Sequence, residues 1–203
     1  MSIRQTQPET RQLDLLGGRI ASTELHRLFF ALMPDDTTRA RLAAAAEALR
    51  AGHSGLRARW INPNRYHATL HFLGDHAALR PTLVDGAIAA ADKIHAEPFT
   101  WTLDSAASFR GREPPCVLRG AEVPALMRQL WQSLSHAMAM AGQGRHLERN
   151  FTPHVTLAYS HGAMLEPAFI EPVMWPVAEF VLVHSVVGQG SYEILGRWAL
   201  AVR

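Results

Sequence analysis

One tetrapeptide occurs twice in this chain, as His67-Ala68-Thr69-Leu70 and again as His154-Val155-Thr156-Leu157. Each copy sits in a stretch that alternates polar with apolar residues, the signature of a β-strand with one buried face. Chance placement predicts well under one such tetrapeptide per chain, so two copies are informative. On a strand the residues at i and i+2 share a face. Each copy therefore offers an imidazole beside a hydroxyl, while Ala68 or Val155 and the leucine that follows the threonine face the core.

The remaining segments fall around these two strands. RLFFALM at 27 to 33 is a short apolar run closed by Pro34, which predicts a buried strand. Asp35 and Asp36 then cap a helix from Thr37 to about Arg50, rich in Ala, Leu, Arg and Glu and stopped by Gly52. INPN makes a turn before a strand over 65 to 73 that Gly74 ends. A helix follows over 81 to 95, opened by Pro81, then strands over 98 to 104 and 115 to 119. The clearest amphipathic helix spans 123 to 141, with Leu126, Leu130, Leu134 and Ala137 on its buried face. Strands over 151 to 159, 178 to 187 and 191 to 202 complete the chain, the last two joined as a hairpin through Gly188-Gln189-Gly190-Ser191. Helices mixed with hairpins predict an α+β fold with antiparallel sheet. Residues 1 to 25 lack sustained periodicity and read as a flexible leader, leaving 26 to 203 as a single domain.

Composition sets the compartment and excludes some chemistry. Of 203 residues, 20 are Lys or Arg and 18 are Asp or Glu, a net charge of +2 that suits a local cationic site better than a broad polyanion-binding surface. Cys116 is the single cysteine, so an internal disulfide and a multi-thiolate zinc site are both excluded. No apolar run is long enough to cross a bilayer and no secretory signal opens the chain, so a cytoplasmic protein with no membrane partner is expected.

Two imidazoles and two hydroxyls facing one cleft suit general acid–base chemistry on a phosphodiester, one histidine activating water and the other protonating the leaving oxygen. An unperturbed pKa of roughly 6.5 lets one ring be neutral and the other charged near pH 7. Thr69 and Thr156 can donate to the non-bridging oxygens, and no metal is required. Arg65, two residues before His67, and Arg149, two before Phe151, are the cationic candidates for the phosphate, with Arg57 and Arg59 weaker ones. His71 shares the nominal strand face of His67 and Thr69, but ligands at i and i+4 of a strand stand about 13 Å apart at roughly 3.3 Å per residue, too far for one ion. It is expected at the cleft edge or in solvent, with Phe72 opposite it in the core. The other histidines are expected at the surface or as caps, and the five tryptophans in the core or at its edge.

With these motifs in view, the chain resembles the two-histidine phosphoesterase superfamily, in the family of bacterial RNA 2′,3′-cyclic phosphodiesterases also called 2′-5′ RNA ligases. The resemblance rests on both H-x-T motifs, on RLFFAL, RWINPNRYHATLHFLG and RNFTPHVTLA, and on the closing EFVLVHS and YEILGRW. It implies a bilobal α+β fold with two pseudo-symmetric lobes, each contributing one H-x-T strand to a central cleft. It implies hydrolysis of the 2′,3′-cyclic phosphate of RNA ends or nucleotides to a 2′-phosphate; no metal or other cofactor and a monomer are expected. By motif, His67 matches the proton donor to the departing 3′ oxygen, His154 the base that takes a proton from water, and Thr69 and Thr156 the phosphate-contacting threonines. Family members often continue the second motif as H-V-T-L-A-R, where this chain has Tyr159. Three alternatives stay open at this stage: a non-catalytic nucleotide- or RNA-binding module of the same fold, a phosphodiesterase or ligase acting on 2′-5′ linkages, and a hydrolase of an ADP-ribose cyclic phosphate.

Overall fold

The computed structural model describes residues 24–144 and 147–202. In chain order the elements are β1 (His26–Leu32), α1 (Asp36–Gly52), β2 (Ala58–Trp60), β3 (Ala68–His76), α2 (Pro81–Ala91), β4 (Phe99–Ser108), β5 (Pro115–Arg119), α3 (Ala125–Met140), β6 (Val155–Ser160), β7 (Ala168–Val177), β8 (Glu179–Val186) and β9 (Glu193–Ala199). The strands lie in the order β7-β4-β5-β6-β3-β1-β8-β9, with β2 also paired to β6. All pairings are antiparallel. The α+β expectation holds, and the order reads as two matched half-sheets that meet where β3 touches β6. These halves are the two lobes.

Local chemistry explains the elements that position the motifs. Leu28, Phe30 and Leu32 of β1 enter the main core while Phe29 and Ala31 pack on the other face with Val181 and Val183. A strand buried on both faces reads as a continuous apolar run rather than an alternating one. Asp35 caps α1 by accepting the Thr38 backbone N–H at 2.7 Å, and Thr38, Leu42, Ala46 and Leu49 form its buried stripe. This helix lies against β7 in one lobe, whereas α2 packs on α3, which reaches β3 in the other. The buried stripe of α3 is Met127, Leu130, Leu134 and Met138, turned by one residue from the expected Leu126 and Ala137, which are only partly buried.

Several expectations need correction. β7 is absent from the expected elements, because Pro172 and Pro176 argue against a strand; it is an edge strand, where proline leaves no ladder partner unsatisfied, and Val173, Trp175 and Val177 are buried from it. The three-residue β2 carries too short a pattern to read. Gly74 does not end β3: it adopts φ 110° opposite a register shift between Arg27 and Phe29, so pairing continues to His26 and His76. The helix expected to 95 stops at Ala91, and the strand expected from 151 starts at Val155. Of the expected leader, residues 1–23 lie outside the described residues, as does His146. Cys116 is buried and free, and no described helix is long and apolar enough to cross a membrane.

Candidate active site

The two H-x-T strands are in direct contact. Ala68 pairs antiparallel with Val155 across the junction of the half-sheets. Continuing that register sets His67 across from Thr156 and Thr69 across from His154, so two imidazoles and two hydroxyls form one four-cornered group. All four side chains are half-buried, while Ala68, Leu70, Val155 and Leu157 are in the core, as their alternation predicts.

The two histidines are held in the same way. His67 Nδ1 lies 2.8 Å from the Arg65 carbonyl oxygen and His154 Nδ1 lies 2.8 Å from the Thr152 carbonyl oxygen, each two residues earlier in the chain. A carbonyl can only accept, so the proton of each neutral ring sits on Nδ1 and donates there, leaving Nε2 to take or give a proton in the cleft. Aromatic rings wall both: Phe29 and Tyr192 stand 5.0 and 5.4 Å from His67, and Phe109 stands 4.8 Å from His154.

The repeat extends two residues past the tetrapeptide. On β3 the register steps from Ala31↔Thr69 to Phe30↔His71, and on β6 it steps from Val117↔Thr156 to Cys116↔Ala158. In both strands the motif leucine is the extra residue of a β-bulge. A bulge breaks strict alternation, so the next residue stays on the core side and the one after it returns to the cleft. This corrects two expectations. His71 is 2% exposed, stacked 5.2 Å from Trp131 with Nε2 2.9 Å from the Trp131 carbonyl, while Phe72 is 37% exposed rather than core. Phe72 and Tyr159 occupy equivalent positions, one beside each histidine's approach segment. Phe72 joins Thr69, His154, Asn150 and Thr152 around a cavity of about 240 Å³ that Glu148 also lines.

The family model described as LigT like phosphoesterase matches residues 32–118. Escherichia coli LigT, in its apo form, is 28% identical over 88% of this chain and 99% of its own, with a TM-score of 0.68. The chain is similar to the LigT-like phosphoesterases in sequence over residues 32–118 and in fold over most of its length. A solved phosphoesterase at 26% identity covers 87% of the chain and 99% of its own, with a TM-score of 0.66. TT0787 of Thermus thermophilus, at 23% identity, covers 86% of the chain and 97% of its own at a TM-score of 0.68 and shares the fold. No curated protein matches the sequence.

Around the two histidines the candidate cations are unequal. Arg65 lies with Cζ 4.9 Å above the Tyr192 ring, its Nε buried without a partner, and its carbonyl orients His67. Arg149 is exposed in the segment before β6, between Glu148 and Asn150, and among the described residues it pairs with no carboxylate. Arg59 is the cross-strand partner of Tyr159, with Cζ 5.0 Å above that ring. Arg57 is exposed and its carbonyl accepts from the His161 N–H.

Burial dominates the electrostatics. Desolvation pushes His67 down to about 4, against the hydrogen bond to Arg65 and with help from the nearby His154 and Arg65 charges. Desolvation also lowers His154, opposed by its bond to Thr152 and by Glu148. Both rings are therefore neutral at pH 7 in the empty cleft. Sequence reasoning missed Tyr192, Phe29 and Phe109, which no short-range pattern ties to the motifs. Phe72 and Tyr159 were within reach: aligning HATLHF with HVTLAY puts an aromatic at the same offset in both.

Proposed function

We propose that this protein hydrolyses 2′,3′-cyclic phosphates, at RNA ends or on nucleotides, to 2′-phosphates, using His154 as base and His67 as acid. The observation that carries this reading is the paired Nδ1 anchoring of the two histidines on strands that meet at Ala68 and Val155, which leaves the Nε2 atom of each ring available for proton transfer. His154 Nε2 takes a proton from water as its oxygen attacks phosphorus. The P–O3′ bond breaks, and His67 Nε2–H delivers its proton to O3′. Thr69 and Thr156 donate to the non-bridging oxygens, with Arg65 and Arg149 as the cations that hold the phosphate.

An acid with a pKa of about 4 must be charged by its substrate. A phosphate monoanion about 4 Å away at an effective dielectric near 20 is worth about 4 kcal/mol, or about three pKa units. That raises the His67 pKa and favours the charged ring in the complex. Nucleotide-sized ligands are consistent with such a cleft, since E. coli LigT has been crystallised with phosphate, 3′-AMP, ATP and NADP+.

The test is turnover of a nucleoside 2′,3′-cyclic phosphate in excess chelator by the wild type, His67→Ala and His154→Ala, with the product isomer identified. Production of the 2′-phosphate, reduced at least ~100-fold in each variant, is expected. A 3′-phosphate product would overturn the assigned regiochemistry, and tight binding without turnover would make the protein a binding module.

A further inference from the structure

The two sides of the cleft differ in charge. Beside His154 the wall carries Phe72, Asn150 and the carboxylate of Glu148, with Arg149 the neighbouring cation. Beside His67 the wall is built from two arginine-on-tyrosine pairs, Arg65 on Tyr192 and Arg59 on Tyr159. The bulge at Leu157 is what returns Tyr159 to the cleft face, and the β2–β6 register is what sets Arg59 over it. Tyr159 is near enough to Tyr192 for a charge on one to oppose ionisation of the other. Neither arginine has an acidic partner among the described residues. A guanidinium held over an aromatic ring by cation–π attraction still has N–H groups that can grip phosphate oxygens in pairs.

We infer that Arg59, held on Tyr159, forms a subsite for the phosphodiester on the 5′ side of the terminal ribose, so that an oligonucleotide end is preferred over a mononucleotide. The inference rests on the reading above that His67 serves the departing O3′. The ribose bearing O3′ then lies on the His67 side, and a chain continuing from there along β6 meets Arg59, which pairs with Tyr159 on the edge of β6 where Ala68 pairs with Val155. On the opposite side, where water attacks, no second phosphate is required, and a wall bearing Glu148 is compatible with that.

The experiment compares kcat/KM for a nucleoside 2′,3′-cyclic phosphate with that for a dinucleotide ending in the same group. Wild type, Arg59→Ala, Tyr159→Phe and Tyr159→Ala are measured at two salt concentrations. The wild type is expected to favour the dinucleotide by about tenfold or more, the size of one charge-assisted contact. Arg59→Ala and Tyr159→Ala should abolish most of that ratio, Tyr159→Phe should keep it, and the slope of log kcat/KM against log salt for the dinucleotide should fall by about 0.7 in Arg59→Ala. Turnover of both substrates with a ratio that Arg59→Ala leaves unchanged overturns the subsite. If the wild type turns over neither, the hydrolase reading has failed instead, and equilibrium binding of the two nucleotides decides the subsite. Tighter dinucleotide binding lost in Arg59→Ala upholds it, and equal affinities overturn it.

Discussion

Ala68 and Val155 pair across the line where the two half-sheets meet, and each follows a histidine of the repeated motif. Both are fully buried. The cleft geometry thus depends on a contact between two small hydrophobes that takes no part in chemistry. A slip of one strand by one residue at this junction would turn its histidine to the core and its leucine to the cleft.

Enlarging one of those residues should damage activity more than stability. Ala68→Leu overpacks a closed site and is expected to cost about 1–3 kcal/mol while forcing β3 and β6 apart. Ala90→Leu, equally buried but in α2, is the control. Both should lower the melting temperature, but Ala68→Leu should reduce kcat at least tenfold and Ala90→Leu less than threefold. Equal kcat losses would show that the junction does not set the geometry.

The pH profile should reveal the depressed histidines. Productive free enzyme needs His67 charged and His154 neutral, and both lie below 6.5 in the empty cleft. The optimum of kcat/KM for a nucleoside 2′,3′-cyclic phosphate should therefore fall below about pH 6.5. Bound substrate anion raises both groups, so the kcat optimum should sit about one unit or more higher. A kcat/KM optimum above about pH 7.5 would contradict the burial of His67.

Stability should fall on the acid side for the same reason. A histidine whose pKa is lowered by folding binds fewer protons in the native state, so its contribution is intact above the unfolded value near 6.5 and is lost as pH drops towards the folded one. For His67, with a folded value of about 4, the loss between about pH 8 and pH 5 is about 2 kcal/mol. His71, lowered by burial and with Nδ1 unpartnered, acts in the same direction. His71→Phe keeps the stack on Trp131 but loses the bond to its carbonyl, about 1 kcal/mol. Denaturant midpoints at those two pH values should show a smaller acid loss in this variant than in the wild type, with kcat little changed.

The motifs were legible because they depend on local alternation. His67, Thr69, His154 and Thr156 lie before the bulges, where the period of two still holds, and the structure puts them where that period predicts. His71 and Phe72 lie after a bulge, and alternation assigns them the wrong faces because an inserted residue is settled by the partner strand. β7 hides behind its prolines, tolerable only because it lies at the sheet edge, a property of topology that no window along the chain contains. Tyr192 reaches His67 from 125 residues away, beyond any spacing argument.

That distant tyrosine supports the last prediction. Its hydroxyl stands 3.4 Å from His67 Nδ1, which already donates to the Arg65 carbonyl at 2.8 Å, so the longer contact adds little. The ring matters more, as a wall of the pocket that desolvates His67 and as the platform beneath Arg65. Tyr192→Phe should hold kcat/KM within about threefold, whereas Tyr192→Ala should admit water, raise the His67 pKa from about 4 towards its ordinary value, and free Arg65. NMR titration of the His67 ring reads the first effect directly, and the kcat/KM optimum should move to higher pH with it. If His67 still titrates near 4 in Tyr192→Ala, its desolvation comes from Phe29 and the strand beneath it rather than from this ring.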